Sequence, residues 1–269
     1  MASPNEITTS QLHRLIGTPA CPVLIDVCID EDFDADPRLI PSAIRHPFDR
    51  IEEMGDRLRN QNVVIICHRG KKLSAGAAAL LRHQGVKAEH LQGGIVAWAE
   101  AGLPRVPAAK IPPRRASGNT LWVTRHRPKI DRIACPWLIR RFIDPQAQFM
   151  FVAPPEVEAV AEKFDATPFD IEGVNWSHRG EQCTFDTMIK EWEIESDALK
   201  TLATIVRGAD TDRHDLAPEA AGLLAASLGL SRMYKDDLAQ LDAGMVLYDA
   251  FYRWARDAQN ESHDWPAAK

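Results

Sequence analysis

The chain has 269 residues, 45% of them hydrophobic and 26% charged, and a formal net charge of -6. Such a chain is long enough for two globular domains, and its acidic balance argues against reliance on a nucleic-acid backbone, whose binders carry a basic face. No window approaches the ~18 continuous apolar residues that span a bilayer, so no membrane partner is expected.

The opening "MASPNEITTSQLHRLIG" lacks the basic segment and apolar core of a signal peptide. Cysteines at 21, 28, 67, 135 and 183 are odd in number and show no CxxC spacing, so reduced thiols in the cytoplasm are expected. Leu12, Leu15 and Ile16 share a helical face, with Thr9 or Ser10 as cap and Gly17 as terminator. "VLIDV" at 23–27 and "VVII" at 63–66 are β-branched runs of the kind buried in parallel sheets. After a loop at 67–72, "LSAGAAALLRHQG" has helical spacing, "VKAEHL" reads as a strand, and "GGIVAWAEAG" as a glycine turn entering a helix. Strands alternating with helices predict an α/β domain with a largely parallel sheet over residues 1–105.

Prolines 104, 107, 112 and 113 remove backbone donors from the next stretch, and residues 106–118 read as an extended, solvated linker. Residues 119–258 follow as a second domain, mainly helical and α+β in class, and 259–269 as a tail. "LWVT" and "QFMFV" supply strands, and "CPWLIRRFI" places proline in a first helical turn. "PPEVEAVAEKF", "SDALKTLATIVRG" and "APEAAGLLAASLG" are further helices. The longest, 236–258, aligns Leu238, Leu241, Met245, Tyr248 and Tyr252 as a core stripe.

Cys67 ends the second apolar run and opens the basic loop His68, Arg69, Gly70, Lys71, Lys72. A lone cysteine there is either a small buried hydrophobe or a nucleophile, and only the thiolate attacks sulfur efficiently. Three features favour an anion at this position: loop amides freed by Gly70, the positive end of the following helix, and the three cations. The same features would cradle an oxyanion.

"LIDV", the loop "CHRGKK" and "LQGGIVAWAEAGLP" occur in this order, and the combination resembles the rhodanese, or sulfurtransferase, family across residues 5–105. The resemblance implies a five-stranded parallel sheet flanked by helices. It also implies that Cys67 carries sulfane sulfur as a persulfide from a small anionic donor to a thiol or cyanide acceptor, with His68 to Lys72 as the substrate-binding loop. No cofactor is required for that transfer. The chain departs from the family pattern at Cys28, where arginine is usual, at "DPRLIPSA", and at Lys72, Leu73 and Ser74, where arginine and serine are usual. Lysine keeps the charge of arginine but loses its planar fork. Asp26 is read as structural, and Cys28 is weighed as a resolving thiol.

In the second half, Arg125, Lys129 and Arg132 are either a solvated basic face or a site for a tetrahedral oxyanion. His178, Glu181, Cys183, Asp210 and Asp212 carry the side chains of a divalent-metal site, without any standard zinc spacing. "WVTRHRPKIDRIACPWLIRRFID", "TPFDIEGV", "SHRGEQCTFD", "IVRGADTDR" and "AAGLLAASLGLSR" together resemble the C-terminal domain of the chromate-resistance protein ChrB family across 120–258. That resemblance implies a role in bacterial chromate tolerance, with chromate as a further ligand. The leading expectation is a sulfurtransferase joined to a chromate-resistance domain. The alternative is a chromate- or metal-binding sensor or regulatory protein whose rhodanese-like half is inactive.

Overall fold

The computed structural model describes residues 5–261, and the tail expected at 259–269 lies outside the described residues from 262 onward. The first half contains strands β1 (Glu6–Ile7), β2 (Val23–Asp26), β3 (Arg38–Leu39), β4 (Ile44–Arg45), β5 (Asn62–Ile66) and β6 (Lys87–Leu91). Helices α1 (Thr9–Leu15), α2 (Asp30–Asp34), α3 (Gly55–Leu58), α4 (Lys72–His83) and α5 (Gly94–Glu100) lie between and after them. Five strands form one sheet in the order β1-β6-β5-β2-β4, every pair parallel. Strand β5 has neighbours on both edges and four buried residues in a row, which is why "VVII" shows no polar alternation. This is the five-stranded parallel sheet flanked by helices that the sequence implied.

The start of α1 differs from expectation by one residue. Thr8 caps it, accepting from the Gln11 amide while the Gln11 side chain accepts from the Thr8 amide.

The expected linker is packed rather than solvated. Strand β7 (Val106–Pro107) pairs antiparallel with β3, and Val106 is 1% exposed. Beyond it Lys110 accepts the Trp192 indole through its carbonyl and pairs with Glu191, and Arg114 pairs with Asp144. Proline removes donors but leaves every carbonyl, and those carbonyls and the cationic side chains are what the second half engages.

The second half comprises strands β8 (Leu121–Arg125), β9 (Gln148–Val152) and β10 (Thr167–Pro168), and helices α6 (Asp131–Leu138), α7 (Val157–Phe164), α8 (Thr184–Glu191), α9 (Asp197–Asp210), α10 (Glu219–Met233) and α11 (Asp237–Asp257). It is helix-rich, as expected. Its small sheet is parallel, order β10-β8-β9, and the third strand was not foreseen because two residues carry no periodicity. Pro136 falls inside α6, not in its first turn, because the helix begins five residues earlier at Asp131. The missing donor interrupts the i to i-4 ladder, and the chain continues as a π turn over Ile139–Ile143. On α11, Leu241, Met245, Tyr248 and Tyr252 are buried, whereas Leu238, in the first turn, is 49% exposed.

One apolar cluster includes residues of both halves, among them Leu12, Ile16 and Trp98 with Trp137, Phe142 and Tyr252. The Ser42 amide donates to the Phe142 carbonyl at 2.6 Å, and Arg256 donates to the Arg14 carbonyl at 3.1 Å. Among the described residues no helix is long and apolar enough to cross a membrane.

Candidate functional site

Cys67 sits at the carboxyl end of β5, where parallel sheets place their ligand sites. It is 4% exposed, and its thiol donates to the Ser74 hydroxyl at 3.1 Å; Ser74 in turn donates to the Lys71 carbonyl at 3.2 Å. Helix α4 begins at Lys72 with no side chain capping it, so its first amides remain available to an anion. Arg69, Lys71 and Lys72 are exposed and, among the described residues, none forms an ion pair.

The "GG" turn fixes the loop by backbone contact. The carbonyls of Cys67 and His68 accept from the amides of Ile95 and Val96 at 3.1 and 3.0 Å. A Cβ at Gly94 would lie 2.0 Å from the Cys67 carbonyl oxygen and 2.4 Å from the Gly70 nitrogen, and one at Gly70 would lie 2.2 Å from the Leu91 carbonyl oxygen. Both glycines also have positive φ, so no other residue type brings these two backbones together. Trp98 closes the motif: it is fully buried and its indole donates to the Pro104 carbonyl at 2.9 Å.

Asp26 supports the sheet end. Its Oδ1 accepts from the Cys28 amide at 2.8 Å, and burial pushes its carboxyl upward. Cys28 is 7% exposed, and burial, then the Asp26 carboxylate, then Cys67, push its thiol far above the usual range. That environment is unfavourable for a resolving thiolate. His68 and Cys28 line a cavity of about 230 Å³ together with Asp26, Asp32, Phe33 and Val96.

The structure separates the metal residues read from sequence. His178 and Asp210 meet, with Nε2 to Oδ2 at 3.3 Å. Cys183 instead caps α8, its thiol donating to Asp186 at 3.3 Å within the core, and burial pushes that thiol far up. Glu181 is exposed, and Asp212 is 92% exposed beside His214. The partners that complete the cluster are Asp131 and Asp170, whose oxygens lie 3.4 and 3.5 Å from His178 Nε2. These three carboxylates hold the His178 imidazole protonated well above its ordinary range. Burial raises Asp131, which is 1% exposed, while its oxygens accept from the Thr184 and Phe185 amides at 2.7 and 3.0 Å.

The oxyanion reading of the basic segment is also altered. Arg125 and Arg132 both turn to one Asp170 oxygen, at 2.9 and 3.4 Å, so their charge is committed inside the protein. Burial, then Arg125, lowers the Arg132 guanidinium. Lys129 is exposed and lines a different cleft with Arg127 and Ser231.

Ser74, Asp131 and Asp170 were not selected from sequence. Ser74 stood within the departure from the expected loop, and the two aspartates lie inside the quoted motifs "KIDRIACPW" and "TPFDIEG". One signal is visible only in the backbone: Ile130, just before Asp131, has φ +40°, a conformation costly for a β-branched residue, and Tyr248 donates to its carbonyl at 2.9 Å.

Comparison with known proteins gives two family matches. A model described as a rhodanese-like domain matches residues 8–101, and one described as the ChrB C-terminal domain matches residues 122–255. Protein ChrB of Cupriavidus metallidurans is 32% identical over 155 residues, covering 56% of this chain and 46% of that protein. The chain therefore spans less than half the length of that relative. A sulfurtransferase of Allochromatium vinosum is 33% identical over 104 residues, 38% of this chain and 94% of that protein. Among solved structures, a rhodanese-related protein from Thermoplasma volcanium is 26% identical, covering 38% of this chain and 97% of its own, with a TM-score of 0.33.

Proposed function

The chain belongs to the rhodanese-like family over residues 8–101 and to the ChrB C-terminal family over residues 122–255, and on that footing we propose that it transfers sulfane sulfur through Cys67. The observation that carries the reading is the Cys67 thiol, hydrogen-bonded to Ser74 at the mouth of a loop whose three cations form no ion pair among the described residues. The thiolate attacks the outer sulfur of a donor such as thiosulfate. A sulfur–sulfur bond to Cys67 forms, the donor's own sulfur–sulfur bond breaks, and sulfite leaves with the electron pair. The persulfide is then attacked at its outer sulfur by a thiolate or cyanide, and the Cys67 thiolate is released.

The loop has a role at each stage. Arg69, Lys71 and Lys72 attract the anionic donor, the free amides at the start of α4 hold its oxygens, and Ser74 can turn its hydroxyl proton toward the sulfur anion. The ChrB-type half supports a link to chromate tolerance, in which sulfur transfer supplies thiol chemistry under oxyanion stress.

The test is thiosulfate:cyanide sulfur transfer by the full chain and by Cys67→Ser. The wild-type chain should form thiocyanate and show one added sulfur atom by mass after thiosulfate alone. Transfer that persists in Cys67→Ser removes the assignment.

A further inference from the structure

A compact group of ionisable side chains outside the Cys67 loop lies in the second half. Four segments distant in sequence deliver it: the first turn of α6 (Asp131), the turn after β10 (Asp170), the loop before α8 (His178) and the end of α9 (Asp210). One oxygen of each aspartate lies 3.3 to 3.5 Å from the same nitrogen, His178 Nε2. The ligating atoms of Asp131, Asp170 and His178 all fall within 4.8 Å of one another.

We propose that Asp131, Asp170 and His178 bind one divalent first-row cation, with Asp210 as the acidic neighbour that draws it in. Bonds of ~2.1 Å in a tetrahedral arrangement place ligand atoms roughly 3.4 Å apart, which is the spacing found from His178 to each aspartate. In the metal-free chain the same spacing holds a protonated imidazole among three carboxylates, and the incoming cation takes the place of that proton on Nε2. The donor set of two carboxylates and an imidazole suits manganese(II) or zinc(II) better than magnesium, which prefers oxygen donors alone.

The surroundings are those of an oriented ligand shell. The second oxygen of Asp131 accepts from the Phe185 amide at 3.0 Å, and the second oxygen of Asp170 is held by Arg125 at 2.9 Å, so each carboxylate is fixed with its other oxygen toward His178. Thr184 binds both carboxylates, its amide to Asp131 and its hydroxyl to Asp170 at 3.0 Å, and so sets their separation. His178 is 41% exposed, which gives an ion a route from solvent. Three protein ligands leave a coordination position open.

The experiment is calorimetric titration of the full, metal-free chain with manganese(II) alone and zinc(II) alone. One ion per chain should bind, with at least tenfold weaker binding in His178→Ala and several-fold weaker binding in Asp210→Asn. Cys67→Ser should bind as the wild type does. Failure of the wild-type chain to bind either ion, or equal binding by folded His178→Ala, overturns the proposal. Asp210→Asn serves as the second variant, with the circular dichroism spectrum confirming the fold of each. Sulfur transfer by Cys67 is read separately, so either result leaves the other intact.

Discussion

Cys67 and Ser74 stand seven residues apart and meet, sulfur to hydroxyl oxygen, at 3.1 Å across the turn that joins β5 to α4. Ser74 is fully buried and its hydroxyl donates to the Lys71 carbonyl, which holds the oxygen where it accepts from the Cys67 thiol and from which the proton can turn to a sulfur anion. Ser74→Ala should therefore keep the fold and slow sulfur transfer. A hydrogen bond to a charged group is worth roughly 1.5–3 kcal/mol, or about a tenfold to hundredfold loss in rate. Steady-state kinetics beside a thermal melt make the measurement, and an unchanged rate would separate Ser74 from the chemistry.

Gly94→Ala should damage both stability and transfer, because the new Cβ would enter the Cys67 and Gly70 backbones at 2.0 and 2.4 Å. Gly85 is a built-in comparison: its φ is +82°, yet nothing lies within 4 Å of a Cβ there. Gly85→Ala should cost roughly 1–2 kcal/mol for the left-handed backbone while leaving transfer intact. If the two variants behave alike in both assays, the contact between the turn and the loop is not what shapes the site.

Phe142 is 3% exposed and packs edge-on against Tyr252 at 5.7 Å, while its carbonyl accepts from Ser42 in the other half. Phe142→Ala should cost about 3–5 kcal/mol and lower one shared unfolding transition rather than part of the curve. Scanning calorimetry decides the matter. Two resolved transitions in the wild-type chain, only one of them shifted by the substitution, would count against a common core.

Asp36 joins Arg38 and Arg105 and so clamps β3 to the start of the packed connector. Arg38 chiefly, and Arg105, hold its carboxyl down to about 2 from an ordinary 3.8. A depressed carboxylate stabilises fully above its unfolded value and loses that contribution as pH falls through its folded value. The stability deficit of Asp36→Asn should thus be present at neutral pH and shrink between about pH 4 and pH 2, remaining modest because the pair is solvent-screened. Urea unfolding across that range tests it, and a deficit that grows on acidification would contradict the sign.

The first half was legible to a considerable depth. "VVII" and "VLIDV" carry their burial in unbroken β-branched runs, and the glycines of "LQGGIVAWAEAGLP" mark places where a backbone approaches closely, so sheet, loop and turn were all readable locally. Ser74 escaped because its meaning depends on a helix starting at Lys72, which rotates position 74 back toward the sulfur. In the connector the prolines suggested an extended, solvated stretch, whereas Val106–Pro107 pairs as a strand, Ala108–Lys110 makes a 3-10 turn, and the partners Glu191 and Trp192 lie some eighty residues away.

By itself, then, the amino-acid sequence determined what short-range physics governs: an α/β first half with a nucleophile-bearing strand end and a basic loop, and a mainly helical α+β second half. Only the tertiary structure decided which acids face His178. Sequence proximity favoured Glu181 and Cys183, but the helix cap sends Cys183 into the core and the turn leaves Glu181 exposed, while Asp131 and Asp170 arrive from 47 and 8 residues away. It also decided that Arg125 and Arg132 neutralise Asp170 instead of waiting for an oxyanion. The reason is common to both cases. A charged side chain is assigned its partner by the packing of whole elements, and that packing is a property of the assembled core rather than of any window along the chain.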